Sequence, residues 1–520
     1  MKNRELEAAW TYHNGTKHSY ESIRANRHYL DWENQPILFK IYSKLEPIPM
    51  SQHLSSAPMP GLSAISAVAT SAEGEVGLTN QTLAEILYLS AGVTKRRSYP
   101  GGEMLFRAAA CTGALYHIDL YLISGDLQDL DAGVYHFSPH DFALRRLRKG
   151  DYRAVLVRAA AEEPSVANAP CVVVCASTYW RNAWKYQARA YRHCYWDSGT
   201  ILANLLAAAA ARNVPANVVA GFVDDTVNQL LSLDPEREGS LTMITLGNAG
   251  PKGTDASPGL EPLGFDIAPL SKKEVDYPAI RAMHQASSLG SGEEVAAWRG
   301  DAQRGHGRKK DQNEKALQVF PLQPLGDEEI PQETIEAVIL RRGSTREFAR
   351  ESISFPRLST MLDCATRGIP ADFLSEAKSS VNDVYLIVHA VDGLPSGAYY
   401  FQPQSRALEL LKEGDFRREA GYLGLGQEIP ADCSVNVYFL ADLNRVLERF
   451  GNRGYRVAQL EAAIMGGKLY LAAYAQRLGA SGLTFFDDDV TEFFSPHAAG
   501  KSVMFLIALG KSAQRRQGLT

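Results

Sequence analysis

The sequence predicts an α+β protein built from two copies of one domain, packed against each other as an intramolecular pseudo-dimer. Three observations predict it. The chain nearly repeats itself, with its second half answering its first at a constant offset. Each copy alternates helical patterns with short β-branched or aromatic runs, the mark of mixed α/β layers. The two copies have also lost different parts, as fused copies can once they need not stay symmetric.

The repeat is clearest in residues 131–153, DAGVYHFSPHDFALRRLRKGDYR, and 395–417, PSGAYYFQPQSRALELLKEGDFR. Gly133 answers Gly397, Tyr135 answers Tyr399, Gly150-Asp151 answers Gly414-Asp415 and Arg153 answers Arg417. The same offset relates Asp119 to Asp383, Tyr191-Arg192 to Tyr455-Arg456, and Asp224-Asp225 to Asp488-Asp489. A repeat this long is a duplicated domain, since solenoid units recur every ~20–50 residues.

The first copy carries a helix pattern at 80–92, strands at 118–124 and 170–176, a long amphipathic helix near 184–213 and a strand at 240–247. The second repeats the order with a helix at 356–367, strands at 383–391 and 433–440, a helix at 453–478 and a strand at 502–510. Residues 1–60 read as an ordered extension wrapping a domain, 61–265 as the first domain, 266–330 as a linker and 331–515 as the second domain. Within the linker, 286–316 is charged, rich in Gly and Ser and poor in apolar residues, so an exposed and partly mobile segment is expected.

With 520 residues, 45% of them hydrophobic and a net charge of −5, the chain has globular composition and no nucleic-acid-scale basic field. No apolar leader is visible, and the run from Ile201 to Ala211 is too short for a membrane span. Six scattered cysteines without CxxC spacing suggest reduced thiols in the cytoplasm. No metal site is expected.

The losses are complementary. The second copy opens with LRRGSTREF at 340–348. There Arg341, Arg342, Ser344 and Arg346 suit an anion such as phosphate, which guanidinium forks grip bidentately. Aligning Leu358 with Leu83 sets Ala67, Ala69 and Ser71 opposite Arg342, Ser344 and Arg346. Likewise Lys511 follows the last strand of the second copy where the first has Asn248. Other features survive only in the first copy. Cys111-Thr112-Gly113-Ala114-Leu115 enters a strand, and Gly113 would let a flat ring approach the backbone. Lys185-Tyr186 is a plausible acid/base pair, and the second copy answers it with Arg449-Phe450.

These residues resemble the nitroreductase superfamily of flavoproteins, and within it the SagB/ThcOx type of dehydrogenase in tandem form. RRGSTREF is similar to the segment that holds the FMN phosphate and ribityl chain. CTGALYH at 111–117 is similar to the second half of a PSAGALYP segment, with Ala110, Cys111, Thr112 and His117 departing from the pattern. The resemblance implies two domains, each with a central mixed or antiparallel sheet flanked by helices. It implies FMN at the interface, with Gly482 and Leu483 near the flavin N5 edge. It implies that Lys185 and Tyr186 act in catalysis. The expected activity is an FMN-dependent dehydrogenase or oxidase of a small heterocycle or azoline-containing peptide, reoxidised by oxygen. An NAD(P)H-dependent nitro or quinone reductase and a non-catalytic flavin-binding subunit of a peptide-maturation complex are the alternatives. A cyclodehydratase is a possible partner, nucleic acid and membrane are not expected, and the chain is a monomeric pseudo-dimer or a higher oligomer.

Overall fold

The computed structural model describes residues 2–68, 77–100, 102–248, 259–303, 318–374 and 380–513. Each copy folds around a seven-stranded sheet in which every pairing is antiparallel. The first sheet runs Pro47–Pro49, Ala143–Lys149, Gly133–Ser138, Ile118–Ser124, Cys171–Thr178, Glu238–Leu246, Ala216–Val219. The second runs Val319–Pro321, Ala407–Glu413, Gly397–Gln402, Asp383–Val388, Val435–Ala441, Ser502–Gly510, Gly479–Leu483. The orders match strand for strand, and helices flank both sheets. The central strands are buried along their whole length, which is why they read as continuous apolar runs.

The repeated segments themselves are hairpins, whose strands were not foreseen. Gly133–Ser138 pairs with Ala143–Lys149, and Gly397–Gln402 with Ala407–Glu413. Each hairpin ends at a glycine with positive φ, +107° at Gly150 and +155° at Gly414, a region that side chains disfavour.

The single helix expected near 184–213 is broken. Tyr179–Tyr186 is one helix, Gln187–Arg189 a 3₁₀ turn, and Ala190–Ala210 the long helix. The break sits at Gln187, with φ +50°. Its counterpart Gly451, φ +67°, separates Leu443–Phe450 from Arg453–Ala475 in the second copy. Lys185 and Tyr186 therefore close a short helix instead of opening a long one.

The two long helices pack at the centre of the molecule through small residues related by the repeat. A Cβ on Gly199 would lie 2.5 Å from that of Ala463, and one on Gly467 would lie 2.5 Å from that of Ala203. At both ends of this contact a buried carboxylate of one domain takes two arginines of the other. Asp224 receives Arg453 at 2.6 Å and Arg456 at 2.7 Å. Asp487 receives Arg189 at 2.9 Å and Arg192 at 2.5 Å. The repeat paired Asp224 with Asp488, but the equivalent residue is Asp487, so the register slips by one before this helix. Asp487 opens the helix Asp487–Phe494 as Asp224 opens Asp224–Leu231, where a carboxylate suits the helix N-terminus.

Burial alone would raise both carboxyls, but the arginines outweigh it and hold Asp224 down at about 2 and Asp487 lower still. Carboxylates depressed in the folded state stabilise it above their unfolded pKa of about 4 and cease to do so as the pH falls through their folded values. Stability should thus fall between about pH 4 and 2 as Asp224 titrates. Asp224→Asn should lose on the order of 3–5 kcal/mol in urea unfolding at pH 7, the cost of breaking a buried pair, and should flatten the dependence between pH 4 and 2.

The extension is ordered and reaches across to the second domain: Asn3 Nδ2 donates to the Phe450 carbonyl at 3.1 Å, and the His18 amide to Asp487 at 2.8 Å. It also supplies the edge strand Pro47–Pro49. The exposed linker expected at 286–316 is corrected in part. Helix Gly292–Gln303 occupies part of it, behind the helix Pro278–Ala286, and Trp298 is 1% exposed, donating to the Phe450 carbonyl at 3.1 Å. Two buried anchors, Val295 and Trp298, dock a helix whose other residues are charged, polar or small. Residues 304–317 lie outside the described residues. Among the described residues no helix is long and apolar enough to cross a membrane.

Candidate functional site

The loop 111–117 enters the strand Ile118–Ser124 through a tight turn. Gly113 has φ +66°, Ala114 +55° and Tyr116 +48°. Two of these three left-handed positions carry side chains, so the loop is strained and must be held by its surroundings. Asp197, buried on the long helix, holds it. Its carboxylate accepts from the Thr112 amide at 2.9 Å, the Thr112 hydroxyl at 2.7 Å and the Cys111 thiol at 2.9 Å. His117 Nε2 lies 3.0 Å from the same carboxylate, and His117 Nδ1 lies 2.9 Å from Ser177 Oγ. Thus three of the four departures from the PSAGALYP pattern, Cys111, Thr112 and His117, serve one carboxylate, while the carbonyl of the fourth, Ala110, accepts from the Thr200 hydroxyl at 2.7 Å. Burial, reinforced by Asp197, pushes the Cys111 thiol well up. Leu115 is buried in the core, while Gly113 is exposed.

Asp197 was not singled out from the sequence. A signal existed in its repeat partner, Glu461. Glu461 holds the second copy's equivalent loop, accepting from the amides of Val381 at 3.0 Å and Asn382 at 2.8 Å.

Tyr186 stands over this turn. A Cβ on Gly113 would lie 2.8 Å from the Tyr186 hydroxyl, so glycine is required there on two counts. The Tyr186 ring packs edge-on against His193 at 4.6 Å, and Lys185 Nζ lies 5.3 Å from its centre. Burial, then the charges of Asp197 and Cys111, push the phenol well up, and Arg346 of the second domain opposes the rise. The structure therefore joins the Lys-Tyr pair, the Gly113 turn and Arg346, which come from both copies.

The arginines of 340–348 divide their work. Arg341 ends the helix Ile335–Arg341 and is committed to Glu333 and the Tyr474 carbonyl. Arg342 is buried and crosses to the first domain, donating to the carbonyls of Ala108 at 2.8 Å and Arg107 at 3.2 Å. Its guanidinium also lies 5.8 Å from the Tyr470 ring centre. Ser344 and Arg346 are exposed. Ser344 Oγ is 3.2 Å from Tyr470 Oη, and Arg346 has no acidic partner among the described residues. Lys511 pairs with Glu351 at 2.9 Å on the surface. Of the two amides expected to face a cofactor, that of Gly482 already donates to Tyr470 Oη at 2.6 Å, while Leu483 is half-buried beside it.

The pseudo-symmetric position is built differently. Ala67 follows the helix Gly61–Ser66, and Ala69 and Ser71 lie outside the described residues. Val218, the counterpart of Gly482, donates its amide to the Pro370 carbonyl at 2.8 Å and accepts from the Asp372 amide at 3.0 Å. Asp372 then takes the amides of Ala220 at 2.8 Å and Gly221 at 2.9 Å. A segment of the second domain thus closes this backbone edge with a buried carboxylate.

Two domains of one antiparallel fold, meeting at a site fed by both, can be compared with known proteins. The nitroreductase family profile matches residues 78–248 and 339–511, one match per copy. The chain belongs to the nitroreductase family. A crystal structure of a nitroreductase-like protein from Anabaena variabilis is similar over 97% of this chain and 99% of that one, with a TM-score of 0.76 and 26% identity. A nitroreductase-like protein of Methanocaldococcus jannaschii is 25% identical over 170 residues, 33% of this chain and 81% of the relative. The Anabaena similarity spans both domains, so the tandem arrangement is not peculiar to this nitroreductase-family chain.

Proposed function

We propose that this nitroreductase-family oxidoreductase binds one FMN per chain in the composite site and oxidises a small heterocycle or azoline-containing peptide. The observation that carries this reading is the convergence of Arg346 and Ser344 from one copy with Gly113 and Tyr186 from the other, opposite a position closed by Asp372. The donor set fits the cofactor: a guanidinium without an acidic partner among the described residues and a hydroxyl for the phosphate, and a turn without a side chain at Gly113 for the ring. FMN, when bound, accepts a hydride from the substrate and can return its electrons to oxygen.

The chain's own residues do the rest. Ser344 and Arg346 hold the phosphate end. Asp197 keeps the strained 111–115 turn in place against the ring. Arg342 ties the two halves together at the 107–108 backbone, beneath the phosphate end. Lys185 or Tyr186 takes the one proton that leaves when the hydride is removed, so two hydrogens leave the substrate for each bond oxidised. Burial raises the Tyr186 phenol, so Tyr186 accepts a proton only in its ionised form, whose share grows as the pH rises.

Flavin released by heat and counted against protein should approach one equivalent. Two equivalents would show that the Asp372 edge does not close the second position and would overturn the composite site.

A further inference from the structure

The alignment of the copies shifts between Leu83, which answers Leu358, and Asp119, which answers Asp383. The stretch from 83 to 119 is longer than that from 358 to 383, so the first domain carries an insertion here that the second lacks. The structure shows what it builds. Val93–Tyr99 and Gly102–Arg107 form a two-stranded antiparallel ribbon outside both main sheets. It is anchored across the domain boundary, with Lys95 Nζ donating to the carbonyls of Arg341 at 3.0 Å and Arg342 at 2.6 Å. The ribbon is therefore tied to the backbone that leads into the Ser344–Arg346 turn.

Its two faces differ. Alternation along the strands places Lys95, Arg97 and Tyr99 on one face, with their cross-strand partners Phe106, Met104 and Gly102. On this face the Arg97 guanidinium lies 5.6 Å from the Phe106 ring centre and has no acidic partner among the described residues. Tyr99 is 55% exposed and Met104 50%. On the other face Arg96 is paired with Glu103 at 3.4 Å, so its charge is answered. Among the described residues the ribbon has no third strand, and its outer backbone groups are open. An isolated ribbon of two strands is marginal in water, and an open edge is a ready template for another chain.

We propose that this ribbon docks an extended peptide carrying acidic residues, which adds as a third strand beside the composite site. The proposal rests on the reading of that site as one that acts on a modified peptide. The open edge would take the peptide backbone, Arg97 its carboxylates, and Tyr99 and Met104 its apolar side chains. An acidic strand is favoured because Arg97 is exposed without an acidic partner among the described residues and Lys95 adds positive charge to the same face, in a chain whose net charge is −5. A nicotinamide dinucleotide would use the cations but leave the backbone edge unpaired, so the peptide accounts for more of what the ribbon presents.

The test is fluorescence anisotropy with a fluorescein-labelled dodecapeptide of alternating glutamate and valine, titrated with the FMN-loaded full chain at 150 mM salt. The acidic peptide should bind, and a lysine-valine peptide should not. Arg97→Glu and Tyr99→Ala should each weaken binding tenfold or more while FMN content and the visible spectrum stay unchanged. Equal binding of both peptides, unchanged affinity in Arg97→Glu, or full displacement of the peptide by NADPH would overturn the assignment. The titration reads binding and not turnover. A chain that binds the peptide yet oxidises no azoline would sink the oxidase reading and leave the ribbon's role standing.

Discussion

Tyr186→Phe is expected to lower the oxidation of thiazoline or oxazoline peptides by roughly 10²–10⁴-fold, the usual contribution of a positioned proton-transfer group. The variant should keep its fold and bound flavin. Phe450 already occupies the matching position of the second copy, and the edge-on packing against His193 needs only the ring. What disappears is the hydroxyl that stands over Gly113. Because burial raises the Tyr186 phenol, the wild-type rate should climb as pH rises above neutrality and more of the phenol can accept a proton. Tyr186→Phe should lose that climb. Lys185→Ala should give a comparable loss, since its amine lies over the same ring. Single-turnover flavin reduction across pH 6–10 measures both effects. Full turnover by both variants would return the pair to a surface lysine beside a packed tyrosine.

Arg346→Ala should weaken FMN binding ten- to hundredfold, or about 1.5–3 kcal/mol, the worth of a charge-assisted contact. The structure makes Arg346 the cleaner probe of the two arginines in this turn. Arg342 is buried, and its removal would take a donor from the Ala108 and Arg107 carbonyls. Arg342→Ala should therefore lower thermal stability as well as affinity. Arg346 is exposed and has no such duty. Ala67→Ser, at the pseudo-symmetric position, should leave affinity unchanged. Fluorescence titration of apoprotein with FMN reads all three, and equal losses at Arg346 and Ala67 would contradict the split between the copies.

Much of this architecture was legible in the chain because duplication writes each element twice. Gly150 and Gly414 marked the ends of the hairpins, although the strands before them were not recognised. Gly451 could have revealed the helix break that Gln187 conceals, since a glutamine at φ +50° gives no local warning. The helix at 292–303 was hidden by composition: two buried anchors among charged residues, alanines and glycines do not make an amphipathic pattern strong enough to read.

The sequence by itself determined the doubling, the layer order that follows from it, and the unequal inheritance of the phosphate turn and the Gly113 turn. Those are statements about periodicity and about matched positions, which survive without coordinates. Only the tertiary structure decided which polar groups meet. Asp197 grips Cys111 and Thr112 from far along the chain, Asp487 rather than Asp488 answers the arginines of the first domain, and Asp372 reaches back from the other domain to close the second position at Gly221. Arg341 and Arg346 look alike in the sequence, yet one is spent on Glu333 and the other left exposed. The physical reason is the same in each case. A hydrogen bond depends on ångström-scale placement of groups brought together by packing two sheets and two long helices, and nothing in local spacing encodes that placement.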